Sequence, residues 1–195
     1  MAIERLELQS GEAVIDVACG TGLNFLLLER AVGPAGHIVG IELSPDMSAQ
    51  ARERVATNGW NNVTLVEAPA EEAVFDATAD AALFSFTHDV LQLPRAVANI
   101  VAQLKPGGRV SSVGAKFGAR WNVVVNFFVR RSAAPYVTTF DGLDRPWRIL
   151  ERYMESIEIR DLALGGAYVA SGRITSDAPE RAAAELLADH RSPSS

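Results

Sequence analysis

A single cysteine, Cys19, stands in a chain of 195 residues, so no disulfide can form within the chain, as expected of a protein in a reducing compartment. Positive charge is scarce as well. With 18 Lys and Arg against 24 Asp and Glu the net charge is −6, which argues against nucleic acid as a partner, because phosphate binding rests on clustered Lys and Arg. No apolar run approaches the ~20 residues that span a bilayer. Met1–Ser10 carries acids in place of the apolar core of a secretory leader. These absences lead to the expectation of a cytoplasmic protein without stable membrane insertion. Histidine is limited to 3 positions; His37 at a strand start and His190 at a helix end are expected to be solvated, and no metal site is expected.

What is present is an ordinary globular composition, 48% hydrophobic and 22% charged, long enough to bury a sizeable core in one domain. Short β-rich runs alternate with helical runs through the first 115 residues, the pattern of a parallel α/β sheet. The spacing predicts strands over Ala13–Val17, His37–Glu42, Val63–Glu67, Ala81–Phe86 and Arg109–Val113. Ser44 can cap a helix with Pro45 in its first position, and Asn58-Gly59 can close it. Pro106-Gly107-Gly108 stops the helix before the fifth strand.

Beyond residue 115 the pattern changes. Trp121–Arg131 reads as a helix whose apolar stripe is interrupted only by Asn122 and Asn126. It is read as cover for the sheet, as a substrate lid or homodimer face, or as a membrane contact flanked by Lys116, Arg120, Arg130 and Arg131. Asp144–Trp147 is expected to start a further helix reaching about Met154. Ile157–Leu164 and Ala167–Arg173 read as strands joined at Gly165-Gly166, a tight hairpin that makes this last pair antiparallel. Pro179–His190 reads as a terminal helix and Arg191–Ser195 as a loose tail. The organisation expected is one domain over 1–195: a cofactor-binding half over 1–115, substrate-side helices and the closing hairpin over 116–175, and the terminal helix and tail over 176–195.

The first strand runs directly into Cys19-Gly20-Thr21-Gly22 and then a leucine-rich helix. Glycine lets the backbone approach a ligand closely and adopt positive φ, so this strand–turn–helix is a candidate nucleotide pocket. The dinucleotide fingerprint needs a third glycine, and Leu23-Asn24-Phe25 supplies none; no Gly-Lys-Ser/Thr forms a phosphate loop either. Asp16 lies inside the strand, and Glu42 ends the next one, where a carboxylate can accept both hydroxyls of a ribose.

V14-I-D-V-A-C-G-T-G-L23, I41-E-L-S-P-D-M47 and L104-K-P-G-G-R109 together resemble the motifs of class I S-adenosylmethionine (SAM) dependent methyltransferases, in particular the ubiquinone/menaquinone C-methylase-like branch. The resemblance implies an α/β, Rossmann-like seven-stranded sheet, mostly parallel with a reversed last strand, which the hairpin matches and a NAD-binding sheet does not. It implies SAM as cofactor, with Cys19, Gly20, Thr21 and Gly22 beside the methionine moiety and Asp16 orienting that loop or the ammonium group. Glu42 would hold the ribose diol, and Leu43 and Met47 would line the adenine. Where many relatives place an acid for the adenine amino group, this chain reads Glu67-Ala68-Pro69-Ala70-Glu71, so Glu67, Glu71 or the backbone at Ala70 takes that role. The resemblance also implies N-terminal lid helices, for which the residues before Ala13 leave little room; Trp121–Arg131 is the candidate replacement.

The reaction implied is methyl transfer to a small, apolar or aromatic acceptor. Displacement at a sulfonium needs alignment and desolvation first and a base only for some acceptors. Phe86 and His88 follow the fourth strand, where the family meets its substrate; His88 is either a general base, with Asp89 fixing its tautomer or capping the next helix, or a structural and cofactor contact. Tyr136, Trp147 and Tyr168 are candidates for an aromatic wall. Cys19 reads as a small packed residue of the turn, with a helix N-terminus expected to lower its pKa. A non-catalytic SAM-binding module or partner subunit of the same fold is the alternative. An RNA or protein methyltransferase is disfavoured by the acidic charge.

Overall fold

A computed structural model of the chain describes residues 2–76, 78–117 and 142–190. Seven strands form one sheet in the order β3-β2-β1-β4-β5-β7-β6. They are β1 (Ala13–Val17), β2 (His37–Glu42), β3 (Val63–Glu67), β4 (Ala79–Ser85), β5 (Leu104–Ala115), β6 (Met154–Leu162) and β7 (Ala167–Ile174). The pairs among β1 to β5 are parallel, and β7 runs antiparallel to both β5 and β6.

The helices are α1 (Phe25–Val32), α2 (Pro45–Asn58), α3 (His88–Leu91), α4 (Pro94–Ala102) and α5 (Ala178–His190). The central strands are buried on both faces, which is why they read as nearly continuous apolar runs. Val14 and Ile15 show the alternation: Val14 joins Phe25, Leu28, Val32 and Leu6 on one face, and Ile15 joins Phe84, Val97, Ile100 and Tyr153 on the other. α2 is punctuated as its residues require. Ser44 Oγ accepts from the Met47 N–H at 3.4 Å, Pro45 opens the helix, and Gly59 closes it with φ 67°.

Three local expectations are corrected. Residues 144–154 do not form an α-helix: turns precede a short 3₁₀ segment at Leu150–Tyr153. This stretch is docked through its backbone instead, with the Pro146 carbonyl accepting from Gln92 Nε2 at 3.3 Å and the Leu143 carbonyl from the Phe117 N–H at 2.9 Å. The β6–β7 connection is a 3₁₀ turn over Ala163–Gly165 rather than a two-residue Gly-Gly turn, and Ala163, Leu164 and Gly165 all have positive φ. β5 begins at Leu104 and takes in Pro106-Gly107-Gly108, because Leu104 pairs with Ala79 before the register shifts and Arg109 pairs with Ala81. The expected helix at Trp121–Arg131 and Tyr136 lie outside the described residues. Among the described residues no helix is long and apolar enough to cross a membrane.

Strand order reverses beside β1: β2 and β3 lie to one side and β4 to the other. In an open α/β sheet the crevice at the carboxyl ends of the strands flanking such a reversal is where ligands are received. The segments leaving β1, β2 and β4 therefore define the candidate site.

Candidate functional site at the carboxyl edge of the sheet

The turn from β1 to α1 is bent by three left-handed residues, Ala18 (φ 49°), Gly20 (φ 58°) and Gly22 (φ 73°). The Cys19 N–H donates to the Ile41 carbonyl at 2.8 Å, and the Gly22 N–H donates to the Cys19 carbonyl at 3.0 Å, closing the turn against the end of β2. The two glycines are needed for different reasons. A Cβ on Gly22 would lie 2.6 Å from the Phe25 ring, so close packing excludes it. A Cβ on Gly20 would meet only Met47 Sδ, at 4.0 Å, so Gly20 keeps the space between the turn and α2 clear.

Two carboxylates bracket this turn. Asp16 is 0% exposed, and Asn24 Nδ2 donates to both of its oxygens at 3.1 and 3.2 Å. Burial, opposed by the Asn24 hydrogen bond and reinforced by the nearby Glu42 charge, pushes its pKa up to about 7. Glu42 is 7% exposed; Oε1 accepts from the Ser44 N–H and Oε2 from the Gly20 N–H, both at 2.8 Å. Each oxygen keeps a lone pair for a further donor. The Cys19 thiol does not behave as the helix N-terminus suggested: burial first, then the Asp16 and Glu42 charges, push its pKa up, so it is a packed, unreactive group.

Apolar side chains stand uncovered around this polar centre. Leu43 is 65% exposed, Met47 47% and Phe86 72%. Phe86 has φ 58°, and its N–H donates to the Val113 carbonyl at 2.8 Å, so the chain leaving β4 is held while the ring projects outward. Ala70 is buried, and its carbonyl accepts from Asn99 Nδ2 at 2.8 Å, which ties the segment after β3 to α4. Glu67 is engaged elsewhere, by Arg52 Nη1 at 2.9 Å. His88 is buried as the first residue of α3, and the N-cap position belongs to Thr87 rather than Asp89. His37, half-buried, has its Nε2 3.1 Å from Thr64 Oγ1. Trp147 and Tyr168 are buried with ring centroids 4.8 Å apart, so this pair packs as core beside the strand ends.

Of the residues singled out in the sequence, Asp16, Cys19, Gly20, Thr21, Gly22, Glu42, Leu43 and Met47 come together around one turn, whereas Ala70, Phe86 and His88 follow the neighbouring strands β3 and β4. Sequence reasoning missed Asn24, which donates to both oxygens of Asp16, and Arg54, whose Nε donates to the Thr21 carbonyl at 2.9 Å. Asn24 carried one signal, its place directly after the glycine turn and before α1. Arg54 carried none, being one of several charges along α2.

The donor set fits a nucleoside that carries a cationic tail. A half-satisfied carboxylate at Glu42 beside the clear space over Gly20, exposed apolar surface at Leu43 and Met47, and a buried acid at Asp16 suit ribose, adenine and an ammonium group respectively. The turn over residues 18–24 carries no Lys or Arg for a phosphate.

Residues 14–108 match the family described as "Methyltransferase domain". Over 64 residues the chain is 39% identical to a protein-L-isoaspartate O-methyltransferase of Ignicoccus hospitalis, covering 33% of this chain and 30% of that protein. Over 169 residues it is 28% identical to a demethylmenaquinone methyltransferase of Symbiobacterium thermophilum, covering 82% of this chain and 67% of that protein. The chain thus spans less than a third of the first relative's length. A SAM-dependent methyltransferase from Aquifex aeolicus shares the fold with a TM-score of 0.66 at 20% identity, covering 89% of this chain and 87% of that one.

Proposed function

We propose that the chain is a class I SAM-dependent methyltransferase that transfers a methyl group from SAM to a small, apolar or aromatic acceptor; the match of residues 14–108 to a methyltransferase domain and the shared fold support this. The observation that carries the reading is the joint placement of Glu42 and Gly20: a buried carboxylate with free lone pairs, held against a turn that leaves open space toward Met47. When bound, SAM supplies a sulfonium methyl that a nucleophile displaces in line, with S-adenosylhomocysteine departing.

The roles of this chain's residues follow from their chemistry. Glu42 accepts from the ribose hydroxyls, and Leu43 and Met47 cover the adenine. Asp16 faces the ammonium end, where an opposing positive charge favours its ionised form. Cys19, Thr21 and Gly22 shape the turn, Ala70 borders the adenine, and Phe86 walls the acceptor side and excludes water. His88, within the buried start of α3, positions the segment after β4 or takes the acceptor's proton. The region over 116–175 serves the acceptor side and 1–115 the cofactor side, in one domain. An apolar acceptor is supported by the exposed aromatic surface at Phe86 and by the similarity to a demethylmenaquinone methyltransferase. A cytoplasmic location fits the single buried thiol.

Incubation with methyl-labelled SAM and a panel of quinols, phenols, amines, RNA and a protein mixture tests the reading. Label is expected in a phenol or quinol; label only in RNA or protein would refute the acceptor class. Cofactor binding with no transfer to any acceptor would instead support the non-catalytic module. Glu42→Ala is expected to weaken S-adenosylhomocysteine binding by about 1–3 kcal/mol, the cost of leaving buried donors unpaired.

A further inference from the structure

Arg54 lies on the third turn of α2, away from the carboxyl edge where the cofactor would sit, yet its side chain reaches back to the glycine turn. Nε donates to the Thr21 carbonyl at 2.9 Å in a partly buried position. The peptide joining Thr21 to Gly22 is planar and trans, so its carbonyl and its N–H point in opposite directions. Holding the Thr21 carbonyl toward α2 therefore aims the Gly22 N–H the other way, where it meets the Cys19 carbonyl at 3.0 Å. Thr21 and Gly22 flank this peptide, and Gly22 has no Cβ to resist its rotation. Arg54 is the side chain that resists it.

We infer that Arg54 is a positioning residue that locks the glycine turn in the form that receives the methionine end of the cofactor. This inference rests on the SAM reading of the site. α2 carries Met47 beside Gly20 and Arg54 beside Thr21, so one helix fixes both the adenine-side surface and the shape of the turn. The adenosine end depends on Glu42, Leu43 and Met47, which Arg54 does not touch in any described contact. Loss of Arg54 therefore acts on one end of the ligand.

The test is calorimetric titration of the full chain, and of its Arg54→Ala, Arg54→Gln and Arg54→Lys variants, with S-adenosylhomocysteine and with adenosine. Arg54→Ala is expected to weaken S-adenosylhomocysteine about tenfold, the scale of one lost charge-assisted hydrogen bond. Adenosine is expected to change by less than about twofold, because its contacts lie elsewhere. Arg54→Lys, which keeps a cationic donor, is expected to recover most of the loss. If Arg54→Ala does not fold, the same split must appear in Arg54→Gln. An S-adenosylhomocysteine affinity within about twofold of wild type, or an equal loss for both ligands, overturns the inference. A wild-type chain that binds no S-adenosylhomocysteine overturns the SAM reading instead.

Discussion

Replacing Asp16 by Asn removes a buried charge while keeping the side chain's shape, and its effect on stability depends on pH in a defined way. An unfolded Asp ionises around its ordinary value of 3.8, whereas burial holds Asp16 up at about 7 in the fold. Between those values the folded chain binds the proton more tightly than the unfolded chain does, so stability falls as pH rises. The penalty is absent below about pH 4, grows by about 1.4 kcal/mol per pH unit, and levels off above pH 7 at about 4 kcal/mol. Asn cannot ionise, and it can turn its carbonyl oxygen toward Asn24 Nδ2 to retain one hydrogen bond. Urea unfolding of both proteins at pH 5, 6, 7 and 8 reads the difference. Asp16→Asn is expected to gain about 3 kcal/mol on wild type between pH 5 and pH 8, which at urea slopes of about 1–3 kcal/mol/M moves the midpoint by about 1 M or more. A difference between the two proteins that stays within about 0.5 kcal/mol across this range would refute the buried-acid account.

The glycines should separate binding from stability. Gly22→Ala, with φ 73° and the Phe25 ring 2.6 Å from the new Cβ, is expected to cost more than about 2 kcal/mol in thermal or urea unfolding. Gly20→Ala meets no such obstacle and is expected to cost only about 1–2 kcal/mol of stability while sharply weakening S-adenosylhomocysteine binding by calorimetry. Equal losses of stability in the two would contradict this assignment. At the β5–β7 junction Tyr168 Oη lies 2.8 Å from the fully buried Ser112 Oγ. Tyr168→Phe is expected to cost about 1–3 kcal/mol by orphaning the serine, and adding Ser112→Ala should return part of that loss.

The parallel strands were readable because local signals agreed with the fold. β1, β2 and β3 fall on the expected residues: β1 and β2 are apolar runs buried in a sheet that both faces cover, and β3, VTLVE at the sheet edge, is only partly covered. Legibility failed where tertiary contacts decided the backbone. Leu143, Trp147, Leu150 and Tyr153 have helical spacing and are buried, yet the segment forms turns because Gln92 and Phe117 take its carbonyls. The hairpin was legible as antiparallel, but not its three positive-φ residues, since Ala163 and Leu164 carry no preference for them. At the site, Glu42 and the glycines could be read from their positions at strand ends. Arg54 could not, because what matters is its reach across 33 residues of chain to one carbonyl.

The central claim is that the turn after β1 holds an adenosine with a sulfur-bearing, cationic tail rather than a dinucleotide. Calorimetric titration of the wild-type chain with S-adenosylhomocysteine and, separately, with NAD tests it most directly. The account predicts saturable, one-to-one S-adenosylhomocysteine binding at least about a hundredfold tighter than NAD, a gap of about 2.7 kcal/mol. Equal affinities, or tighter binding of NAD, would contradict it.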